Sequence, residues 1–372
     1  MADKPTKGLA DVVAASTALS DIDGKAGRLF YRGYDIHDLA GRATFEETAH
    51  LLQRGKLPTR QELADYGAEL VRGRELGALV SANIAEIAEK QKPMEALRSL
   101  VSLAGADDPD KDSIAPEANL GKAARLTAQQ PLLVARYHAA RKGIDVPEPD
   151  ASLSIAGNFL LQVTGNTPSP RAVEIFDTCL VLHADHTMNA STFAARVCAA
   201  TLSDMHSAIV AAIGTLKGPL HGGANEQVMK TLESLSPTGV AEAVREKLAA
   251  GEKIMGFGHR VYKTEDPRAT HLRRLSEELS ADDPTYFRMS KEMEEVVFET
   301  KGLYPNVDFY AATVYHYLGI PTDLFTPVFS ISRMSGWTAH VIEQHADNRL
   351  IRPDSEYIGE RDQKWKPIDE RQ

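Results

Sequence analysis

The segment FEETAHLLQRG, residues 45–55, carries the pattern that constrains this chain most: Phe45, Ala49 and Leu52 share one face at helical spacing, and Gly55 ends the run. The same periodicity, punctuated by Gly or Pro, returns in SLSIAGNFLLQVTGN, PRAVEIFDTCLVLHADH, VAEAVREKLAAG and YFRMSKEMEEVVFETKG. After Asp266-Pro267 a helix is expected, because Pro suits a first turn and Leu272, Leu275 and Leu279 follow as an apolar stripe. Strand signals are scarce, and no strand–helix alternation calls for a doubly wound sheet. The fold class is therefore all-α. At 372 residues the chain can build a large core and two domains around a cleft.

Two stretches punctuate this helical pattern. The acidic, Pro-containing ADDPDKDSIAPEA, residues 106–118, is read as a surface loop. The segment from KGPLHGG at 217 to the helix after YPNVDFY is turn-rich at its ends and helical between them, the better candidate for a separate small domain. A formal net charge of -10 argues against a nucleic-acid footprint, so any anion site must be local. Cys179 and Cys198 are too far apart for a CxxC motif and too few for a disulfide framework, which fits a reducing compartment; both read as buried core thiols. Asp11 interrupts the only apolar stretch near the start, so no secretory signal is read there. Runs such as AIVAAIGTL at 208–216 fall short of the roughly 20 residues that span a bilayer. The expected location is the cytoplasm.

Of the 12 histidines, those on plain helix faces, such as His37, His50 and His138, read as solvated or hydrogen-bonded structural residues. Four others keep unusual company. His183 and His186 in LHADHTMNAST are spaced to share a helix face, which raises a metal pair, but no third ligand, HExxH or CxxC completes a site and no metal is expected. His221 lies between Gly-Pro-Leu and Gly-Gly, just before a helix; small neighbours allow close ligand approach, and the helix dipole favours a neutral imidazole able to polarise a carbonyl. It reads equally as a turn residue without function. His259 sits in IMGFGHRVYKTEDPRA, where GFGH is only a fragment of a phosphate-loop pattern and Lys263 follows within reach of a phosphate. Asp308 opens an apolar helix in YPNVDFYAATVYHYLGIP, with Phe309 and Tyr310 crowding it. Partial desolvation tunes its basicity while the helix terminus favours its charge, so it is a candidate general base as well as a candidate cap. Arg268, Arg333 and Arg352 each sit in polar or turn-rich surroundings, and guanidinium groups hold carboxylates by paired hydrogen bonds.

Together these segments resemble the citrate synthase family, in its short bacterial and archaeal form. GLADVVAASTALSDIDGKAGRLFYRGYDI, HADHTMNASTFAARV, GPLHGGANEQV, GFGHRVYKTEDPRA, YPNVDFY and SRMSGWTAHVIEQHADNRLIRP stand in family order along nearly the whole chain. The resemblance implies condensation of acetyl-CoA with oxaloacetate and hydrolysis of the citryl thioester to citrate and CoA, with no metal or redox cofactor. Asp308 would take a proton from the acetyl methyl, His221 would stabilise the enolate oxygen, and His259 would polarise the ketone and protonate the new alkoxide. His186, Arg268 and Arg333 would bind oxaloacetate, with Arg352 reaching in from the partner of a homodimer. The backbone of Ile254, Met255, Gly256, Phe257 and Gly258 would receive the adenine of CoA, with Lys263 near its phosphates and Asn306 beside the pantetheine. The implied domains are a large helical one, residues 1–217 completed by 315–372, and a small mobile one at 218–314. The chain departs at Ala311-Ala312, where many relatives carry Ser or Thr and Gly, and the extra N-terminal domain tied to NADH inhibition is not expected. 2-Methylcitrate synthase, acting on propionyl-CoA, shares these groups, and an idle dimer binding CoA or a dicarboxylate is the reading from another class.

Overall fold

Many helix starts in this chain are fixed by polar side chains that accept the otherwise unpaired first N–H groups. Thr44 and Thr59 form capping boxes with Glu47 and Glu62. Ser154, Ser169, Asn189, Asp204, Asp266 and Asn306 cap the helices that follow them. The helix Phe45–Arg54 runs as the sequence predicts and ends at Gly55, whose φ of 88° is the left-handed region that favours glycine. A helix likewise begins at Pro267, with Asp266 as its cap. The structure is a computed structural model that describes residues 7–9 and 12–371; Asp11 lies outside them.

The fold is all-α apart from one small sheet near the start. Strands Ser20–Asp23, Arg28–Tyr31 and Tyr34–Asp35 form an antiparallel meander in sequence order, pairing Ser20 with Tyr31 and Phe30 with Asp35. Strands of four, four and two residues are too short to show a readable period of two.

The helix Phe325–Ala346 forms the axis of the core and is buried along most of its length. Against it pack Phe45–Arg54, Pro116–Lys142, Pro170–His183, Ala190–Ala199 and Met205–Leu216. Gly336 makes this packing possible: a Cβ there would lie 2.4 Å from the Ala184 carbonyl oxygen and 2.5 Å from the Asp185 carboxylate. The axial helix therefore presses directly on the loop that carries His186. A second group of helices packs mostly on itself, with Pro267–Leu279 and Ala224–Ser234 against Val307–Tyr317, and Val240–Ala249 against Thr285–Lys301. Polar contacts between the two groups include Arg171, which grips Glu278 with two hydrogen bonds of 2.6 and 2.8 Å, His37 Nδ1, 2.8 Å from His271 Nε2, and the Thr326 hydroxyl, which donates to Gly222 O at 3.2 Å.

Four expectations need correction. The Pro170–His183 helix stops at His183, so His183 and His186 do not share a helix face. Segment 106–118 is only partly a surface loop: it spans the end of one helix and the start of another, and between them Asp108 is buried by a two-pronged bond from Arg125. Cys179 is buried, but Cys198 is only half so. Arg333 sits mid-helix in the core, because the polar stretch SISRMSG lies on a helix whose polar side chains bond to buried carbonyls. Among the described residues, no helix is long and apolar enough to cross a membrane.

Candidate active site

The glycine loop and the start of the Asp308 helix are built as one piece. The Gly258 N–H donates to Tyr304 O (2.8 Å), the Asn306 N–H donates to Gly256 O (2.9 Å), and the Asn306 side-chain amide donates to Gly258 O (3.1 Å). The Asn306 carbonyl oxygen also caps the helix by accepting the Asp308 N–H. Both glycines have positive φ, and at Gly256 a Cβ would strike Val228 and Phe309 at 2.7 and 2.9 Å, so no larger residue fits. Ile254 and Phe257 are buried, the Phe257 ring lying 4.5 Å from that of Phe309, while Met255 is half-buried. Asn306 thus spends its side chain on tying loop to helix, a role its sequence context did not reveal.

Asp308 lies half-buried in the first turn of the Val307–Tyr317 helix. Burial raises its carboxyl from the usual range to about 7, with Arg268 pulling the other way, Asp266 adding to the rise and Arg333 opposing it. The helix terminus and two cations would favour the charge, but loss of water outweighs them.

The two histidines closest in sequence to glycines have their protons assigned by the hydrogen bonds around them. At His259 the backbone N–H groups of Val261 and Tyr262 donate to Nδ1 (3.0 and 3.2 Å), which leaves the neutral ring's proton on Nε2. At His221 the Ser191 N–H points at Nε2 (3.3 Å) with Ser191 Oγ 2.8 Å away, which leaves the proton on Nδ1. Ser191 Oγ is itself fixed, receiving the Trp337 indole N–H (3.1 Å) and lying 2.8 Å from Asn189 Oδ1. Burial lowers both histidines to about 4, helped by Arg268 at His259 and by Arg333 at His221. Each is a neutral donor at neutral pH.

Around these groups stand the anion-binding candidates. Arg268 is buried and paired with Asp266 through Nε and Nη2 (2.9 and 2.7 Å). Arg333 is buried, its Nε bound to His183 O (2.7 Å) and its guanidinium over the Phe329 ring. His186 is buried with its ring 5.2 Å from that of His259, and its Nε2 has no partner among the described residues. Burial first, then Arg268, holds it well below the usual histidine range. The charge of Arg333 is felt at His186, His221 and Asp308, and that of Arg268 at His186, His259 and Asp308, so the candidates occupy one field.

Two candidates fall outside this cluster. Lys263 is exposed, its backbone N–H donating to Gly24 O (2.8 Å). Arg352 lies in the exposed tail after the axial helix, where its side chain meets only Asp354 at 3.4 Å. Sequence reading missed Asp266 as the partner of Arg268, Ser191 and Trp337 as the support of His221, and Asp185, which is bonded to Ser20 and 3.3 Å from His340 Nε2. Only Asp266 left a local signal, an Asp two positions before an Arg at a helix start. Among the described residues, no group of three or more His, Cys, Asp or Glu is placed to hold a metal.

A family model described as citrate synthase, C-terminal domain, matches residues 8–354. Citrate synthase 2 of Bacillus subtilis is 50% identical, covering 98% of this chain and 99% of its own, and citrate synthase of Haloferax volcanii is 48% identical over all of both chains. 2-Methylcitrate synthases are more distant, at 41% identity. Among solved structures, the complex of carboxymethyl coenzyme A and oxaloacetate with citrate synthase from Thermoplasma acidophilum superposes with a TM-score of 0.93, at 34% identity, covering 99% of this chain and 100% of that one. Matched across its length in sequence and in architecture, the chain belongs to the citrate synthase family.

Proposed function

We propose that this protein condenses acetyl-CoA with oxaloacetate and hydrolyses the resulting citryl-CoA to citrate and CoA. The observation that carries the reading is the division of protons: a carboxyl tuned to about 7 that shares the field of Arg268 and Arg333 with two neutral imidazoles whose donor nitrogens are set by backbone N–H groups. A thioester methyl is a very weak carbon acid, so a base must act while a donor meets the charge that develops on oxygen. Asp308 takes the methyl proton, and His221 Nδ1–H stabilises the enolate. The enolate carbon then attacks the ketone of oxaloacetate, which His259 Nε2–H polarises and whose alkoxide it protonates. Water cleaves the thioester, releasing citrate and the CoA thiol. Each proton donor is neutral beforehand, so no charged imidazole has to be buried first.

Arg268, Arg333 and His186 are assigned to the two carboxylates and the oxo group of oxaloacetate. The unpartnered His186 Nε2 supports this, since a buried polar atom without a partner is costly unless a ligand meets it. The loop Ile254 to Gly258 is assigned to the adenine of CoA and Lys263 to its phosphates. Asn306 is assigned to the pantetheine only through the loop it holds. Residues 218–314 are read as a small domain closing on the rest, supported by the packing of their helices mostly against one another. A homodimer in which Arg352 enters the partner's site is supported by the exposed tail that carries it. These soluble substrates and two cysteines fit the cytoplasm.

The test is product identification by NMR. Acetyl-CoA labelled with carbon-13 in its methyl group, incubated with oxaloacetate and the protein, should deliver the label to a methylene of citrate with release of one CoA thiol. Label retained in acetyl-CoA would overturn the reading.

A further inference from the structure

Tyr262, three residues beyond His259, is 4% exposed, and its hydroxyl has no hydrogen-bond partner among the described residues. Its ring centroid lies 4.6 Å from that of His259 and 5.7 Å from that of His186, so it lines the same cluster as the oxo-diacid candidates. Burial holds the phenol well above its ordinary range, and among charges the nearest influence is Arg268, followed by Asp266. The hydroxyl therefore stays protonated and faces a region dominated by a buried cation. A phenyl ring would pack against the two imidazoles equally well, so in the free protein the hydroxyl adds only an unmet polar group.

Arg268 provides the complementary feature. Its Nε N–H and one N–H of Nη2 are committed to Asp266, which leaves both N–H groups of Nη1 and the second of Nη2 for an incoming carboxylate. A carboxylate presents two oxygens with about four acceptor positions, more than these three donors fill. The Tyr262 hydroxyl is a further, unpartnered donor in the same cluster, its ring lying against those of His259 and His186. We propose that Tyr262 is a further substrate ligand, its hydroxyl donating a hydrogen bond to the oxaloacetate carboxylate held by Arg268. The assignment rests on the reading of the reaction given above. It makes Tyr262 a determinant of diacid binding, separate from the acyl-CoA half of the site.

Tyr262→Phe in the full-length protein removes the donor and keeps the ring. A hydrogen bond to a charged group lost from the bound state should raise the KM for oxaloacetate about 10- to 100-fold. The KM for acetyl-CoA at saturating oxaloacetate should stay within about twofold. The melting temperature of the free variant should equal or exceed that of the wild type, and its rise on adding oxaloacetate should shrink. A wild-type KM and a full thermal response to oxaloacetate in the variant would overturn this proposal alone. A lower melting temperature with both KM values raised together would also overturn it, making the residue structural. A wild type that neither turns over nor is stabilised by oxaloacetate would overturn it together with the reading of the reaction.

Discussion

Asp308 has to be ionised to act as a base and yet hold its proton well enough to have taken it from carbon. Desolvation meets the second need and the buried guanidiniums of Arg268 and Arg333 meet the first, with a balance near 7. On the free protein, kcat/KM for acetyl-CoA should therefore fall below about pH 7 with the slope of one proton, and a pH–rate series checks it. Asp308→Asn should lose at least about a thousandfold in kcat. The same shift affects folding. An aspartate whose folded value lies above the ordinary 3.8 keeps its proton longer in the folded chain, so this group's contribution to stability declines as pH rises from about 4 to about 7. Urea titrations at pH 5 and pH 8 should show Asp308→Asn gaining relative to wild type at the higher pH. That Asp308 could be a base was legible from its place at an apolar helix start. That Ser191 and Trp337 fix the proton of His221 was not, because they lie far from it in sequence and meet it only through the fold.

At the level of elements, the site depends on two close approaches. One is the axial helix Phe325–Ala346 against the His186 loop, where Gly336 leaves no room for a methyl group. Gly336→Ala should cost about 1 to 3 kcal/mol in denaturant unfolding and shift His186 and Arg333 relative to each other, raising the KM for oxaloacetate. The other is the seam between the glycine loop and the Val307–Tyr317 helix, which Asn306 closes from both sides. Asn306→Ala should lose about 1 kcal/mol for the cap, with a larger fall in kcat than stability alone explains, since base and loop move together. Helices and their caps were legible because they follow from local periodicity and from Thr, Ser, Asp and Asn at their starts. The hairpin Ser20–Tyr31 was not, being too short to show alternation. Its role is long-range: Ser20 and Tyr31 bond to Asp185, and its turn passes so close to the His259 loop that a Cβ on Gly24 would lie 2.4 Å from Val261 O.

For the whole molecule, the function proposed above implies a homodimer in which each site is complete only when the second copy supplies Arg352. It would bring Arg352, which is exposed in the tail after the axial helix and bonded to Asp354, into the partner's site. Symmetric dimers make the claim testable without a new structure, because two differently damaged subunits can repair one site between them. Arg352→Ala and Asp308→Asn homodimers should each be nearly inactive, with sedimentation unchanged at the mass of two chains. Co-expressing the two variants and following CoA thiol release from acetyl-CoA and oxaloacetate tests the account most directly. Random pairing should restore about a quarter of wild-type activity, since half of the dimers are mixed and each mixed dimer holds one intact site. Activity no higher than the average of the two inactive parents would contradict the shared site, and no thiol release by the wild type would contradict the reaction itself.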